Sequence, residues 1–129
     1  MDEAAEARAK SLERLYDYTK FHIGVYLTLT AAFITLATAT GDKGNRLVPL
    51  DMDFVWPAIV AFLVAGAAGG IIATSLTEQV GGSSDDFLKR DIGPSNFKPF
   101  HRLKGRTYTQ IEHGAFWVGI ACAVLSFVK

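Results

Sequence analysis

Three long segments with almost no charged residues constrain what this 129-residue chain can form. Residues 21–40 and 54–76 contain no Asp, Glu, Lys or Arg, and residues 110–129 contain only Glu112 and the final Lys129. A helix rises by about 1.5 Å per residue, so about 20 residues cross the roughly 30 Å hydrocarbon core of a bilayer. The sequence therefore predicts three transmembrane helices. A buried or re-entrant helix is the alternative for the third segment, whose apolar part is the shortest.

The apolar segments favour helices over a β-barrel. Polar and apolar residues do not alternate in them, and every backbone polar group in lipid needs a partner within the protein. Residues 1–20 are rich in helix formers and contain no Pro or Gly, so they predict a juxtamembrane helix that extends the first span. Its apolar positions fit either a short coiled-coil seam or an amphipathic helix packed on the long loop or the headgroups. The predicted fold class is an all-α membrane protein with three transmembrane helices.

Charged residues are partitioned along the chain. The 13 basic and 13 acidic residues concentrate in residues 1–20 and in two connecting segments, 41–53 and 77–109. Half of all residues are hydrophobic, the net charge is zero and there is one cysteine. This composition excludes a soluble globular domain, a disordered tail, a disulfide scaffold and a basic nucleic-acid binder.

The distribution of Lys and Arg predicts the orientation. Four lie in residues 1–20 and six in the 77–109 segment, whereas the 41–53 loop and Lys129 together supply three. With three spans, residues 1–20 and 77–109 share one side of the membrane, and the positive-inside rule places that side in the cytoplasm. We therefore expect a protein of the plasma (bacterial inner) membrane with a cytoplasmic N-terminus and residues 41–53 as the outer loop.

The 77–109 segment is long for a connection in so small a protein. It opens with GGSSDD, which predicts a flexible turn, and then mixes aromatic with basic residues: Lys89, Arg90, Lys98, Arg102, Lys104 and Arg106. Such a segment fits contact with anionic lipid or packing beneath the bundle, docking of a partner protein, or a small ligand pocket. Four acidic residues reduce its net charge to +2, which argues against nucleic acid. Its glycines lack the spacing of a phosphate-binding loop.

Each predicted span carries one seam of small or weakly polar residues opposite a bulkier face. The seam residues are Gly24, Thr28 and Thr35 in the first span, Ala65, Gly66, Gly69 and Gly70 in the second, and Ala115 and Gly119 in the third. Membrane helices associate through close backbone approach and interhelical hydrogen bonds, both of which small residues permit. The seams therefore predict either packing within a three-helix bundle or self-association of several copies.

Three polar residues near the predicted cytoplasmic ends of the spans are functional candidates: Glu112, His113 and His22. A carboxylate within a span is costly, so Glu112 is either a functional residue facing the bundle interior or a headgroup-level acid stabilised by the helix dipole. A helical wheel turns each histidine about 120° away from the seam of its own span, so the two rings are not expected to share a gap. We therefore predict interfacial histidines and no cofactor or metal. A surface metal cluster that includes His101 is the alternative.

The sequence contains no recognisable arrangement for covalent or acid–base catalysis, so an enzyme is not predicted. The leading hypothesis is a helical homo-oligomer that acts as a pore, a membrane effector or a structural module, with the cytoplasmic loop receiving a partner or signal. One alternative is an accessory subunit of a larger membrane complex, in which other chains cover the seams. Another is a small redox carrier that holds haem or metal through its histidines. The expected partners are the lipid bilayer and further copies of the chain or other membrane subunits, without nucleic acid.

Overall fold

The protein is built almost entirely from helices. The computed structural model describes residues 2–77, 82–92 and 103–128. In chain order the elements are α1 (Glu3–Thr38), α2 (Met52–Thr77), α3 (Ser84–Lys89), β1 (Asp91–Ile92), β2 (Leu103–Lys104) and α4 (Gly105–Val128). The helices α1, α2 and α4 are long and apolar enough to cross a membrane. The expectation of an all-α fold with three such helices is therefore confirmed.

The first helix, α1, is continuous from the charged N-terminal segment into the first apolar segment. The side chain of Asp2 caps its start by accepting a hydrogen bond from the backbone N–H of Ala4 at 3.3 Å. Its 36 residues correspond to about 54 Å, which is longer than a bilayer core of about 30 Å. The helix α1 is therefore longer than a crossing of that core requires, and it continues from residues 3–20 into the first apolar segment.

The last helix, α4, begins at Gly105, five positions earlier than residue 110, where the apolar segment was expected to start. Its 24 residues correspond to about 36 Å, so its length is sufficient for a full crossing. The hydropathy pattern missed the first turn because residues 105–110, GRTYTQ, are mostly polar. The apolar part of the third span is short, but the whole helix is long enough to cross a membrane.

The central helix of the bundle is α2, which packs against both α1 and α4. One apolar cluster lies near its start, around Val55 and Phe62, and includes Phe33 of α1. A second lies near its end, around Ile72, and includes Phe87 of α3. The helix α2 therefore positions both α1 and α4.

The described part of the 77–109 segment contains a short helix, α3. Ser83 and Asp86 form a capping box at the start of α3, and the buried Phe87 enters the second apolar cluster. Leu12 and Tyr16 of α1 pack against the same cluster. Part of the segment thus lies beneath the bundle, and the N-terminal part of α1 packs on it. The expectation of a flexible turn is wrong at residues 84–86, because the capping box starts a helix there.

The capping box gives a testable dependence on pH. Hydrogen bonds from the backbone N–H and the hydroxyl of Ser83 hold the pKa of the Asp86 carboxyl below its usual value. A lowered folded-state pKa stabilises the cap above the usual aspartate value of about 3.9, and this contribution is lost as the pH falls through the folded-state value. We expect an NMR titration of the Asp86 carboxyl carbon to show that lowered midpoint.

The variant Ser83→Ala is the control for this titration. It removes the hydroxyl donor but keeps the backbone N–H, so the midpoint of Asp86 should return part of the way towards the usual value. An unchanged midpoint in Ser83→Ala would show that the hydroxyl does not stabilise the carboxylate.

Candidate functional site

A buried hydrogen bond joins α1 to α4. The hydroxyl of Tyr26 donates to Oε1 of Glu112 at 2.8 Å. The side chain of Tyr26 is 0% exposed and that of Glu112 is 2% exposed. Of the two interpretations of Glu112 that the sequence left open, the position facing the bundle interior is the one observed.

Glycine in α2 makes this contact possible. A Cβ atom at Gly69 would lie 3.0 Å from Cγ1 of Ile23 on α1 and 3.6 Å from Cδ of Glu112 on α4. The absent side chain therefore lets both helices approach α2 at the same level. Since α1 and α4 meet α2 there, a tyrosine on α1 can reach a carboxylate on α4.

The two histidines, His22 and His113, lie close to each other, and His22 lies close to Tyr26. The ring centroids of His22 and His113 are 6.2 Å apart, and the ring of His22 is 6.1 Å from that of Tyr26. The prediction that the two rings do not share a gap is wrong. A wheel treats each helix alone, whereas the flanks of α1 and α4 that carry these histidines face each other in the bundle.

Tyr18 connects the two histidines. Its hydroxyl lies 3.3 Å from Nε2 of His113, and its ring packs against that of His22 at a centroid distance of 4.0 Å and an interplanar angle of 39°. The Nδ1–H of His22 donates to the backbone carbonyl oxygen of Tyr18 at 2.8 Å. We call Tyr18, His22, Tyr26, Glu112 and His113 the polar cluster.

Sequence reasoning did not select the two tyrosines of the polar cluster. Tyr26 was placed among the bulky residues of the first span, although a phenol in an apolar helix needs a hydrogen-bond partner when it is buried. Its spacing of four residues from both His22 and Thr30 puts all three on one side of α1. That spacing is the sequence signal that would have identified Tyr26 as a candidate.

The alternative of a surface metal cluster involves the same histidines and Glu112. In the described ranges, no group of three or more His, Cys, Asp or Glu residues is arranged to hold a metal ion. His101, which the alternative also invoked, lies outside the described residues.

The seams of the second and third spans pack within the chain. Ala65, Gly69 and Gly119 are buried, and the ring of Phe62 lies directly over Gly119. The remaining seam residues Gly66, Gly70 and Ala115 are half-buried. Packing within one bundle therefore accounts for most of these two seams.

The seam of the first span has a different environment. Gly24, Thr28 and Thr35 are all exposed, whereas Tyr26 and Phe33 on the opposite side of α1 are buried. We define the outer face of α1 as Asp17, Lys20, Gly24, Thr28, Ala31 and Thr35, each of which is exposed. Residues of this face and their neighbours line an open groove of about 640 Å³. The first seam is thus not used for packing within the described part of the chain.

The basic residues of the 77–109 segment are only partly described. Lys89 pairs with Asp85 at 3.0 Å on the surface of α3. Arg90, Lys104 and Arg106 are exposed. Lys98 and Arg102 lie outside the described residues, and contact of the whole set with lipid or with a partner stays a prediction.

Comparison with other proteins does not assign this chain to a family. No protein-family model matches this sequence, and no curated protein or solved structure is significantly similar to it. The fold defines an all-α chain with three helices long and apolar enough to span a membrane.

Proposed function

We propose that the protein is a non-enzymatic integral membrane protein that associates with further copies of itself and serves as a structural module in the bilayer. The outer face of α1 is the observation that supports this proposal. It is the one seam of small residues, among the three in the sequence, that stays exposed throughout the described structure. In lipid, such a face favours association because helix backbones can approach closely there.

Charge at one end of the outer face supports a second copy as its occupant. Asp17 and Lys20 are both exposed, and within the described ranges neither forms an ion pair. They are three residues apart on the same face of α1, so in a parallel pair of helices Lys20 of each copy lies near Asp17 of the other. A pair related by a two-fold axis therefore contains two such contacts.

A structural module fits this face better than a pore. Close contact between glycine and threonine positions brings two helix axes together and leaves no lumen between them. In the proposed orientation, residues 1–20 and the 77–109 segment lie on the cytoplasmic side of a bacterial inner membrane. This is the side of the protein that is richer in Lys and Arg. There the segment is available to a partner protein or to anionic lipid.

Replacing Gly24 tests the proposal. The Gly24→Leu variant should lose the oligomer and run as a monomer, because the new side chain separates the facing backbones. A Cβ at Gly24 meets no atom within 4 Å in the chain, so the fold itself should tolerate the change. The measurement is the mass of the purified protein in detergent by light scattering, corrected for bound detergent.

Gly114→Leu is the matched control, since a Cβ there also meets no atom within 4 Å and Gly114 lies on α4. It should leave the mass unchanged. Asp17→Lys should weaken the oligomer, and adding Lys20→Asp to the same chain should restore it. A wild-type protein that is monomeric when expressed alone would contradict self-association and favour the accessory-subunit alternative, in which another chain covers the same face.

A further inference from the structure

Glu112 is buried without the partners that an ionised carboxylate normally has. One hydrogen bond, from Tyr26, reaches its Oε1, and no donor in the described part of the chain reaches Oε2. No cationic side chain among the same residues lies within ion-pair distance of it. A carboxylate accepts several hydrogen bonds, so this one is under-satisfied.

An isolated buried charge is expensive. Moving an ionised carboxylate into an apolar interior without a paired cation costs so much that such groups are normally paired, bound to a metal or neutralised. Among the described residues, no counter-ion is in contact with Glu112, and no group of three or more His, Cys, Asp or Glu residues is arranged to hold a metal ion. Neutralisation by a proton requires nothing beyond the carboxyl group and a route to water.

We propose that Glu112 is a proton-binding site that exchanges its proton with water through the end of the bundle where Tyr18, His22 and His113 lie. The carboxylate takes one proton from water and becomes a carboxylic acid, and the reverse step returns that proton. The Tyr26 hydroxyl keeps its hydrogen and donates to the carboxyl oxygen in both forms. The site does not depend on self-association, since all of its residues belong to one chain.

The surroundings of Glu112 give the proton this route. Tyr26 of α1 donates to it, His22 lies against Tyr26, Tyr18 of α1 contacts His113, and His113 follows Glu112 directly on α4. The only titratable residue of α2 is Asp53, which lies at the far end of that helix. Both histidines are half-buried, so the side chains nearest this end of the site are in part accessible to water. Imidazoles gain and lose protons near neutral pH, which suits them to relay protons.

Infrared spectroscopy tests the site directly, because a protonated carboxyl has a carbonyl band that an ionised one lacks. We expect wild-type protein in liposomes to show a carboxylic-acid band between about pH 8 and 6, where exposed glutamates are ionised. Labelling with ¹³C-glutamate should move this band, which assigns it to glutamate. The band should be lost in Glu112→Gln and retained in Glu13→Gln, the matched exposed control.

Two further variants separate proton binding from a purely structural role. Tyr26→Phe should shift the band in frequency, because the carboxyl then lacks its hydrogen-bond donor. Replacing both His22 and His113 by Gln should slow the exchange of the acid proton for deuterium several-fold, because the route to water is interrupted. If ¹³C-glutamate labelling of the wild-type protein reveals no glutamate acid band between about pH 8 and 6, Glu112 is ionised throughout and the proposal is overturned, whether or not the variants fold.

Discussion

The free energy of unfolding of the Gly119→Leu variant is expected to be about 3 kcal/mol lower than that of the wild-type protein. This is the upper end of the usual cost of overpacking. A Cβ atom at this position would lie 2.6 Å from Cε1 and 2.7 Å from Cδ1 of Phe62. The Phe62 side chain is 2% exposed and belongs to the apolar cluster between the helices, so its ring has no open space to occupy. The extra side chain must therefore force α4 away from α2.

This prediction is measured by reversible unfolding of the purified protein in mixed detergent micelles, followed by circular dichroism. Gly114→Leu makes the same chemical change on the same helix in open space, so it corrects for the difference in helix propensity. Adding Phe62→Ala to Gly119→Leu removes the clashing ring and should recover part of the loss. Equal stability of the Gly119 and Gly114 variants would show that α2 and α4 do not pack as described.

The second large effect is expected for Tyr26→Phe. This variant removes one oxygen atom and leaves Glu112 buried without its hydrogen-bond donor, which should cost about 1–3 kcal/mol of unfolding free energy. Tyr18→Phe is the matched control. The Tyr18 side chain is 48% exposed and its hydroxyl makes a long contact of 3.3 Å, so its removal should cost at most a few tenths of a kcal/mol.

A double-mutant cycle with Tyr26→Phe and Glu112→Leu isolates the interaction between the two side chains. The double variant should be more stable than the sum of the two single effects predicts, because it leaves neither polar partner unpaired in the interior. Strictly additive effects would mean that Tyr26 and Glu112 do not interact in the folded protein.

The class of the fold was predictable from the sequence because it depends on local quantities. The length of an uncharged run and its lack of polar/apolar alternation are properties of consecutive residues, and they identified α1, α2 and α4. The burial of Glu112 could not be derived in this way. The sequence placed a carboxylate near a helix end, but its burial depends on how closely α1 and α4 approach α2 at Gly69.

The tertiary structure also decided which faces are used within the chain. The small face of α1 resembled those of α2 and α4 in composition, yet the bulky face with Tyr26 and Phe33 is the one that packs. The rotation of a helix about its own axis is set by contacts with residues far away in sequence, and no local pattern determines it. The same rotation brings His22 to within 6.2 Å of His113 between ring centroids. The sequence by itself therefore determined which segments are long apolar helices. Which side chains of different helices come into contact was determined by how the helices pack in the tertiary structure.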